Sequence, residues 1–360
     1  MSDVASPAGV SPEAGMEIGL FTFGELSVDL VTGQLIDPAV RLREFIDLAK
    51  LADEAGLDVF GVGEHHRPDF AIASPAVVLA AVAEATSRIR LTSTVTVLST
   101  ADPVKVFEDF TALDLVSNGR AEITAGRGAY TESFPLFGND LDDYDELFEE
   151  KLGLLLQLNS SERVTWSGKH RPALKDVGVY PRPVQPHLPV WIAVGGTPSS
   201  VERAGRLGLP LYLAILGQPE RFVDLAALYR RTGEIAGHDV ESLCIGITSH
   251  FFTAATSQGA RTTFYPYYSR YIANNMPSAR GQLMSRESFD AWSSPHGALF
   301  AGSPQEIIEK ILWEYEILGH TRFLAQIGLG GLPFADAARS IEILASEIAP
   351  AVRRATSRPI

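Results

Sequence analysis

The chain is nearly devoid of cysteine: Cys244 is the only one in 360 residues. No intrachain disulfide can form, and a reducing cytoplasm is the expected compartment. Positive charge is also in deficit. A formal net charge of −14 repels phosphate over most of the surface, which argues against nucleic acid or anionic membrane as partners and leaves anion binding to single basic residues. No apolar run approaches the ~18 residues that a membrane-spanning helix needs. Residues 1–15 are rich in Ala, Ser, Pro and Gly and lack the basic-then-apolar pattern of a secretory signal. They read as a loose tail, with a single domain over 16–360. Internal repeats are missing, and so are low-complexity tracts beyond that tail.

What is present is enough apolar residue, 46%, to bury a large core, and a regular punctuation by proline and glycine. Helices are expected to open at Asp37-Pro38, Ser74-Pro75, Asp102-Pro103, Thr197-Pro198, Gln218-Pro219, Ser303-Pro304 and Leu332-Pro333, mostly with a capping side chain ahead of a proline in the first turn. Ser303-Pro304-Gln305-Glu306 has the capping-box pattern. Helices are expected to close at Gly56, Gly119, Gly208, Gly237 and Gly319. Strand-like runs cover 18–23, 57–62, 91–98, 121–126, 189–195, 209–215, 243–252 and 322–327. They are almost continuously apolar, as parallel strands covered on both faces should be. Eight strands alternating with helices predict an α/β (β/α)8 TIM barrel, with a doubly wound open sheet as the alternative. Two insertions interrupt the alternation. Residues 163–183 read as a hairpin before strand five. Residues 264–296, after strand seven, read as a long aromatic loop that either closes over an apolar substrate or meets a second copy of the chain.

In such a barrel the strand C-termini open on one face, where ligands bind. Gly63-Glu64-His65-His66-Arg67-Pro68 follows the second strand. On extended backbone His65 and His66 point opposite ways, so one should face the site while the other packs or hydrogen-bonds beneath it. A histidine there suits proton transfer to or from a reacting oxygen. A metal reading takes Glu64, His65 and His66 as ligands, but the six other histidines show no ligand spacing. A structural reading has both rings satisfying buried backbone groups. Gly195-Gly196-Thr197-Pro198-Ser199 joins a strand to a helix N-terminus, with free amides and two hydroxyls for a phosphate, or is an ordinary glycine-rich turn. Arg127, between Gly126 and Gly128 at the end of strand four, either clamps the same phosphate or makes a surface ion pair. The run around Thr94 and Val95 either lays its backbone against a flat ring or is plain strand core.

Several of these stretches, in this order, resemble the bacterial luciferase-like flavin monooxygenases. The likeness runs from about Met16 to the C-terminus. It is carried by Glu64-His65-His66; by Asp102-Pro103 through Glu108-Asp109, Leu113-Asp114 and Ser117-Asn118-Gly119-Arg120; by Arg127-Gly128-Ala129-Tyr130 through Phe134 and Phe137-Gly138; and by Gly302-Ser303-Pro304-Gln305-Glu306. The resemblance implies a (β/α)8 barrel that takes FMN, delivered reduced by a separate reductase, and inserts one oxygen atom of O2 into a small organic substrate. It implies that Arg127, Gly195, Gly196, Thr197 and Ser199 hold the phosphate. Phe21, Thr94 and Val95 would border the ring, with a non-prolyl cis peptide at Thr94-Val95. His65 would be catalytic with His66 beside it, and Glu64 and Tyr130 would line the substrate pocket. Light emission is not expected, because Gly126 and Gly196 stand where the light-emitting subunit has cysteine and serine. The expected protein is a homodimer of the uncharacterised oxidoreductase branch, without a metal. The alternatives are a relative that uses the deazaflavin F420, a flavin-binding barrel without catalysis, and a metal-dependent hydrolase on the same fold.

Overall fold

The computed structural model describes residues 15–357 apart from 31, 277, 278 and 280, so the expected tail lies, except for Gly15, outside the described residues. The first half runs β1 (Glu17–Thr22), α1 (Pro38–Glu54), β2 (Val59–Val62), α2 (Pro75–Ala85), β3 (Arg90–Ser93), β4 (Thr96–Val97), α3 (Pro103–Ser117), β5 (Ala121–Gly126), α4 (Ser133–Leu136) and α5 (Tyr144–Ser160). After these come β6 (Arg163–Trp166), β7 (Leu174–Gly178), β8 (Val190–Val194), α6 (Pro198–Leu207), β9 (Leu211–Ala214), α7 (Val223–Ile235) and β10 (Ile245–Thr253). The chain finishes with α8 (Ser257–Asn275), α9 (Arg286–Trp292), β11 (Phe300–Gly302), α10 (Pro304–Leu318), β12 (Arg322–Gln326), α11 (Phe334–Ile343) and α12 (Ala349–Thr356).

Strands β1, β2, β3, β5, β8, β9, β10 and β12 pair in parallel from neighbour to neighbour, and the β9–β10 and β12–β1 pairings close the circle. This is the (β/α)8 barrel, not the open sheet. The punctuation works as its chemistry requires. Asp37 accepts from the amides of Ala39 and Val40, and Asp102 from Val104, so both prolines sit where a helix has no amide bond to lose. Gly208 and Gly319 end their helices at φ 65 and 63, conformations that cost a side chain dearly. The capping box at Ser303 is only half made. Its hydroxyl accepts from the Glu306 amide, but the Glu306 carboxylate turns to Arg261 at 3.1 Å.

Two expectations need correction. The third strand is not continuous over 91–98: a cis peptide at Thr94-Val95 separates β3 from β4, as the family resemblance implied. Residues 264–296 are not a loop. Helix α8 reaches Asn275 with Pro266 inside it, and α9 follows. Phe264, Tyr268, Tyr271, Ile272 and Asn275 are all buried and recur at helical spacing, one stripe facing the barrel. Residues 163–183 do contain the expected hairpin, β6 against β7.

Alternation along the strands sends every second side chain into the lumen. At its N-terminal end the lumen is filled by ionic and aromatic groups. Arg322 donates to Glu17 at 2.7 Å and to Glu122 at 2.7 Å, its guanidinium lies 4.3 Å from the Trp191 ring, and Arg90 also pairs with Glu122. Burial alone would raise the Glu122 carboxyl, yet the two guanidinia hold it down at about 2. Above this plug sit Phe21, Tyr212 and Leu324. The open end of the barrel is therefore its C-terminal mouth.

Candidate active site

β5 and β8 are neighbours in the barrel, so the turns that follow them meet at one corner of the mouth. There the Arg127 guanidinium donates to the Thr197 hydroxyl at 3.1 Å, pairs with the Asp145 carboxylate, and lies 5.0 Å from the Tyr144 ring centre. Tyr144 in turn donates to the Gly128 carbonyl at 2.7 Å, which fixes the loop that carries the arginine. Thr197 is the N-cap of α6, but its side chain does not cap. The hydroxyl faces Arg127; Pro198 has no N–H and the Ser200 amide donates to the Thr197 carbonyl at 3.1 Å, which among the described residues leaves the Ser199 amide for another acceptor. Gly196 has φ +125, and a Cβ built on either Gly195 or Gly196 would meet nothing within 4 Å. An open glycine pair, an uncapped helix N-terminus and a guanidinium make a fitting cradle for a phosphate monoester. Ser199, in the first turn of α6, is exposed beside it.

The cis Thr94-Val95 segment forms the next part of the mouth. Glycines on the flanking strands let it settle: a Cβ at Gly61 would lie 2.7 Å from Thr94 Cγ2, and one at Gly126 would lie 2.6 Å from Val95 Cγ2. On the other side of Gly61 is Phe21, whose ring meets Phe23 edge-on at 5.4 Å. On the far side of the mouth, Ala193 and Ala214 are small and only half-buried. A flat ring anchored by a phosphate at β5 and β8 would find its bed along this segment.

The two histidines diverge as extended backbone demands. His65 turns to the mouth, packed 4.5 Å from Phe23, 4.4 Å from Phe70 and 4.9 Å from Tyr130 between ring centres. His66 turns to Glu64, with Nε2 2.8 Å from Oε1, and its ring meets Phe137 at 5.1 Å. The other Glu64 oxygen accepts from the Val97 amide at 2.9 Å. Glu64 therefore ties the histidine loop to β4 and holds His66. Burial, reinforced by Arg67 and His66, pushes the His65 pKa down to about 3, away from the near-neutral value that a free histidine would have. His65 is a neutral imidazole, and its ring nitrogens make no hydrogen bond among the described residues. Glu64, His65 and His66 do not converge on a common point, so they form no metal cluster. Among the described residues, three possible ligands come together instead at Asp143, Glu146 and His170, where Lys169 already bridges both carboxylates at 3.1 and 2.8 Å.

Tyr130 connects the phosphate corner to the rest of the mouth. Its ring lies 4.5 Å from the Arg67 guanidinium, and its hydroxyl donates to the Asn275 carbonyl at 3.2 Å. Helix α8 thereby runs as a roof from the β10–β12 side, where it packs on Gly330, to the loop after β5. Sequence reasoning missed the residues this roof brings in, His250, Tyr268 and Gln326. The alternation of β10 placed His250 on the lumen side, but only the helix above it gives that position meaning.

Comparison with known proteins agrees with this architecture. The model of the luciferase-like monooxygenase family matches residues 16–322. The oxygenase component of a flavin-dependent trigonelline monooxygenase from Acinetobacter baylyi is 24% identical, over 86% of this chain and 89% of that one. An F420-dependent glucose-6-phosphate dehydrogenase from Amycolatopsis mediterranei is 33% identical over 46% of this chain and 51% of its own. Among solved structures, monooxygenase RslO1 from Streptomyces bottropensis superposes with a TM-score of 0.81 at 25% identity, covering 93% of this chain and 99% of that one. With the barrel, the cis peptide and the family match over most of its length, the chain is a member of the luciferase-like monooxygenase family.

Proposed function

We propose that the protein is the oxygenase of a two-component system that uses reduced FMN and O2 to oxygenate a small organic substrate, releasing oxidised FMN and water with the product. The observation that carries this reading is the Arg127–Thr197 contact beside the open Gly195-Gly196 turn, which shares the mouth with the half-buried His65 imidazole. Arg127, the Thr197 and Ser199 hydroxyls and the backbone amides of the Gly195–Ser199 turn would hold the phosphate. Phe21 and the Thr94-Val95 backbone would bed the ring. Bound in its reduced form, FMN supplies the two electrons that activate O2. The protein supplies the rest. The aromatic cage of Phe23, Phe70 and Tyr130 keeps water from the reacting centre. His65, held neutral, can donate one hydrogen bond at the ring edge and accept another without adding charge. Glu64 fixes His66 and the loop on which both histidines stand. The substrate would enter under α8.

The reading is supported by the flavin-dependent relatives, and it extends to a separate flavin reductase as partner and to a homodimer in solution. Leu115 and Val116 are exposed apolar residues at the end of α3 and offer surface to a second copy. The test is a titration of the protein with FMN and, separately, with F420, followed by oxygen-consumption measurements with chemically reduced FMN across a substrate panel. FMN binding that weakens in Arg127→Ala, with oxygen uptake coupled to product, is the expected result. Selective binding of F420, or uptake that yields only hydrogen peroxide with every substrate, would overturn it. Elution as a dimer in size-exclusion chromatography with light scattering is expected as well.

A further inference from the structure

Two buried polar atoms under the roof have no hydrogen-bond partner among the described residues: Nε2 of His250 and Oδ1 of Asn275. Their residues are 6% and 8% exposed, so water does not reach these atoms freely. An unmade buried hydrogen bond is costly to keep. Each atom has a defined chemical character. His250 lies in β10 opposite Gln326 and in lumen register with Cys244. Its Nδ1 is 2.8 Å from the Tyr268 hydroxyl, and burial keeps the ring neutral. The Tyr268 hydroxyl makes no other hydrogen bond among the described residues. Tyr268 donating to Nδ1 leaves one group unmet, Nε2–H, whereas the opposite direction would strand both the Tyr268 proton and the Nε2 lone pair; the first arrangement is favoured and makes Nε2–H a donor. Asn275 donates from Nδ2 to the Tyr271 carbonyl at 3.1 Å. That bond fixes the amide orientation and leaves Oδ1 as an acceptor.

Tyr271 is the neighbour that the two residues share. It meets His250 edge-on at 5.1 Å between centres, and Asn275 follows one helical turn later, about 6 Å along the axis. Tyr130, tied to the Asn275 carbonyl, continues the aromatic wall toward His65. A ring bedded along Thr94-Val95 would lie against β3 and β4, across the barrel circle from β10, so this donor and acceptor are left for the other reactant.

We propose that His250 and Asn275 select the substrate: the Nε2–H of His250 donates to a carbonyl oxygen, and Asn275 Oδ1 accepts from a hydroxyl at the other end of the same flat, aromatic molecule laid against Tyr271. The substrate class is thus a hydroxylated aryl ketone or quinone-like compound. The proposal rests on the oxygenase reading above, which assigns the neighbouring half of the mouth to the cofactor.

The test uses three probes, 6-acetyl-2-naphthol, 2-acetylnaphthalene and 2-naphthol, titrated calorimetrically into the full-length protein saturated with oxidised FMN. The two-group probe should bind tightest. His250→Phe should weaken 6-acetyl-2-naphthol and 2-acetylnaphthalene roughly tenfold and leave 2-naphthol unchanged. Asn275→Ala should weaken 6-acetyl-2-naphthol and 2-naphthol by a similar factor and spare 2-acetylnaphthalene. A merely structural role would weaken all three probes alike in either variant, and that pattern defeats the proposal, as does the absence of binding by all three to the wild type. Should His250→Phe not fold, Tyr268→Phe serves instead. It frees Nδ1 and is expected to lose two- to threefold on the acetyl-bearing probes only, and an unchanged affinity for them would count against the assignment. FMN affinity is measured in every variant. If His250→Phe lowers it, the donor belongs to the cofactor and this inference fails while the oxygenase reading stands; if the wild type takes up no FMN, that reading fails and the same probe pattern is read on the apoprotein.

Discussion

The Arg127 guanidinium reaches the Thr197 hydroxyl at 3.1 Å across two neighbouring strands, while its other face is held by the Asp145 carboxylate. A cofactor phosphate placed between Thr197 and the α6 amides would compete with Asp145 for the same donors. Two opposite effects follow. Arg127→Ala should weaken oxidised FMN binding by about ten- to a hundredfold, the scale of a lost charge-assisted pair. Asp145→Ala should tighten it a few-fold, since a rival anion is gone. Fluorescence quenching of FMN measures both.

His65 lies below the usual histidine range, chiefly through burial, at about 3. Over pH 6–8 it should not change charge, so the rate at saturating reduced FMN should carry no ionisation near 6.5 that belongs to this residue. His65→Ala should lose most product formation, on the order of a hundredfold for a group in proton transfer, with FMN affinity nearly intact. A pH–rate inflection near 6.5 that disappears in His65→Ala would show the imidazole is not held neutral.

Gly126 is a packing requirement as much as a strand end. A Cβ there lies 2.6 Å from Val95 Cγ2 and 3.0 Å from Val95 Cβ, so Gly126→Ala must push Val95 and the cis segment toward the mouth. We expect a loss of about 1–3 kcal/mol in stability from overpacking, read in urea unfolding, together with weaker FMN binding. Unchanged affinity would separate Val95 from the ring bed.

Acid stability has a calculable sign. Folded Glu122 is at about 2 against an ordinary 4.5, and folded His320, buried with both ring nitrogens unpartnered, is at about 3 against 6.5. Both values are depressed, so the unfolded chain binds more protons between the paired values, and stability present above them drains as pH falls through 6.5 and then 4.5. Glu25, raised by burial to about 7, works the other way and removes stability as pH rises from 4.5. His65 and His250, each also held by burial at about 3, add to His320 and outweigh Glu25 and the raised Glu314, so unfolding midpoints should drop on acidification from pH 6.5 to 4, most steeply below 4.5. His320→Gln should flatten that slope by up to one proton, about 1.4 kcal/mol per pH unit.

The barrel was legible because its signals are local. An aspartate before a proline, or a glycine after the last turn, caps a helix whatever surrounds it, and nearly every strand run had such a mark on at least one side. The meeting of Arg127 with Thr197 was legible for the same reason: Arg127 and Gly195 to Ser199 each follow a strand, and barrel order makes those strands neighbours. The roof was not. Pro266 and a polar, tyrosine-rich composition hid the spacing of Phe264, Tyr268, Tyr271 and Asn275, and without α8 nothing marked His250. Nor could the sequence give the protonation of His65, because that depends on Phe23 and Tyr130 arriving from two other segments to join Phe70 of its own loop in stripping its water.

The ionic plug around Arg322 has a kinetic consequence. With Glu17, Glu122, Arg90 and Trp191 packed around it, the cylinder has no rear exit, and every reactant shares one doorway. What lies deepest must arrive first and depart last. For the reaction proposed above, turnover would then be a queue: flavin before substrate on the way in, product before flavin on the way out, with an excess of substrate slowing flavin exchange by standing in its path.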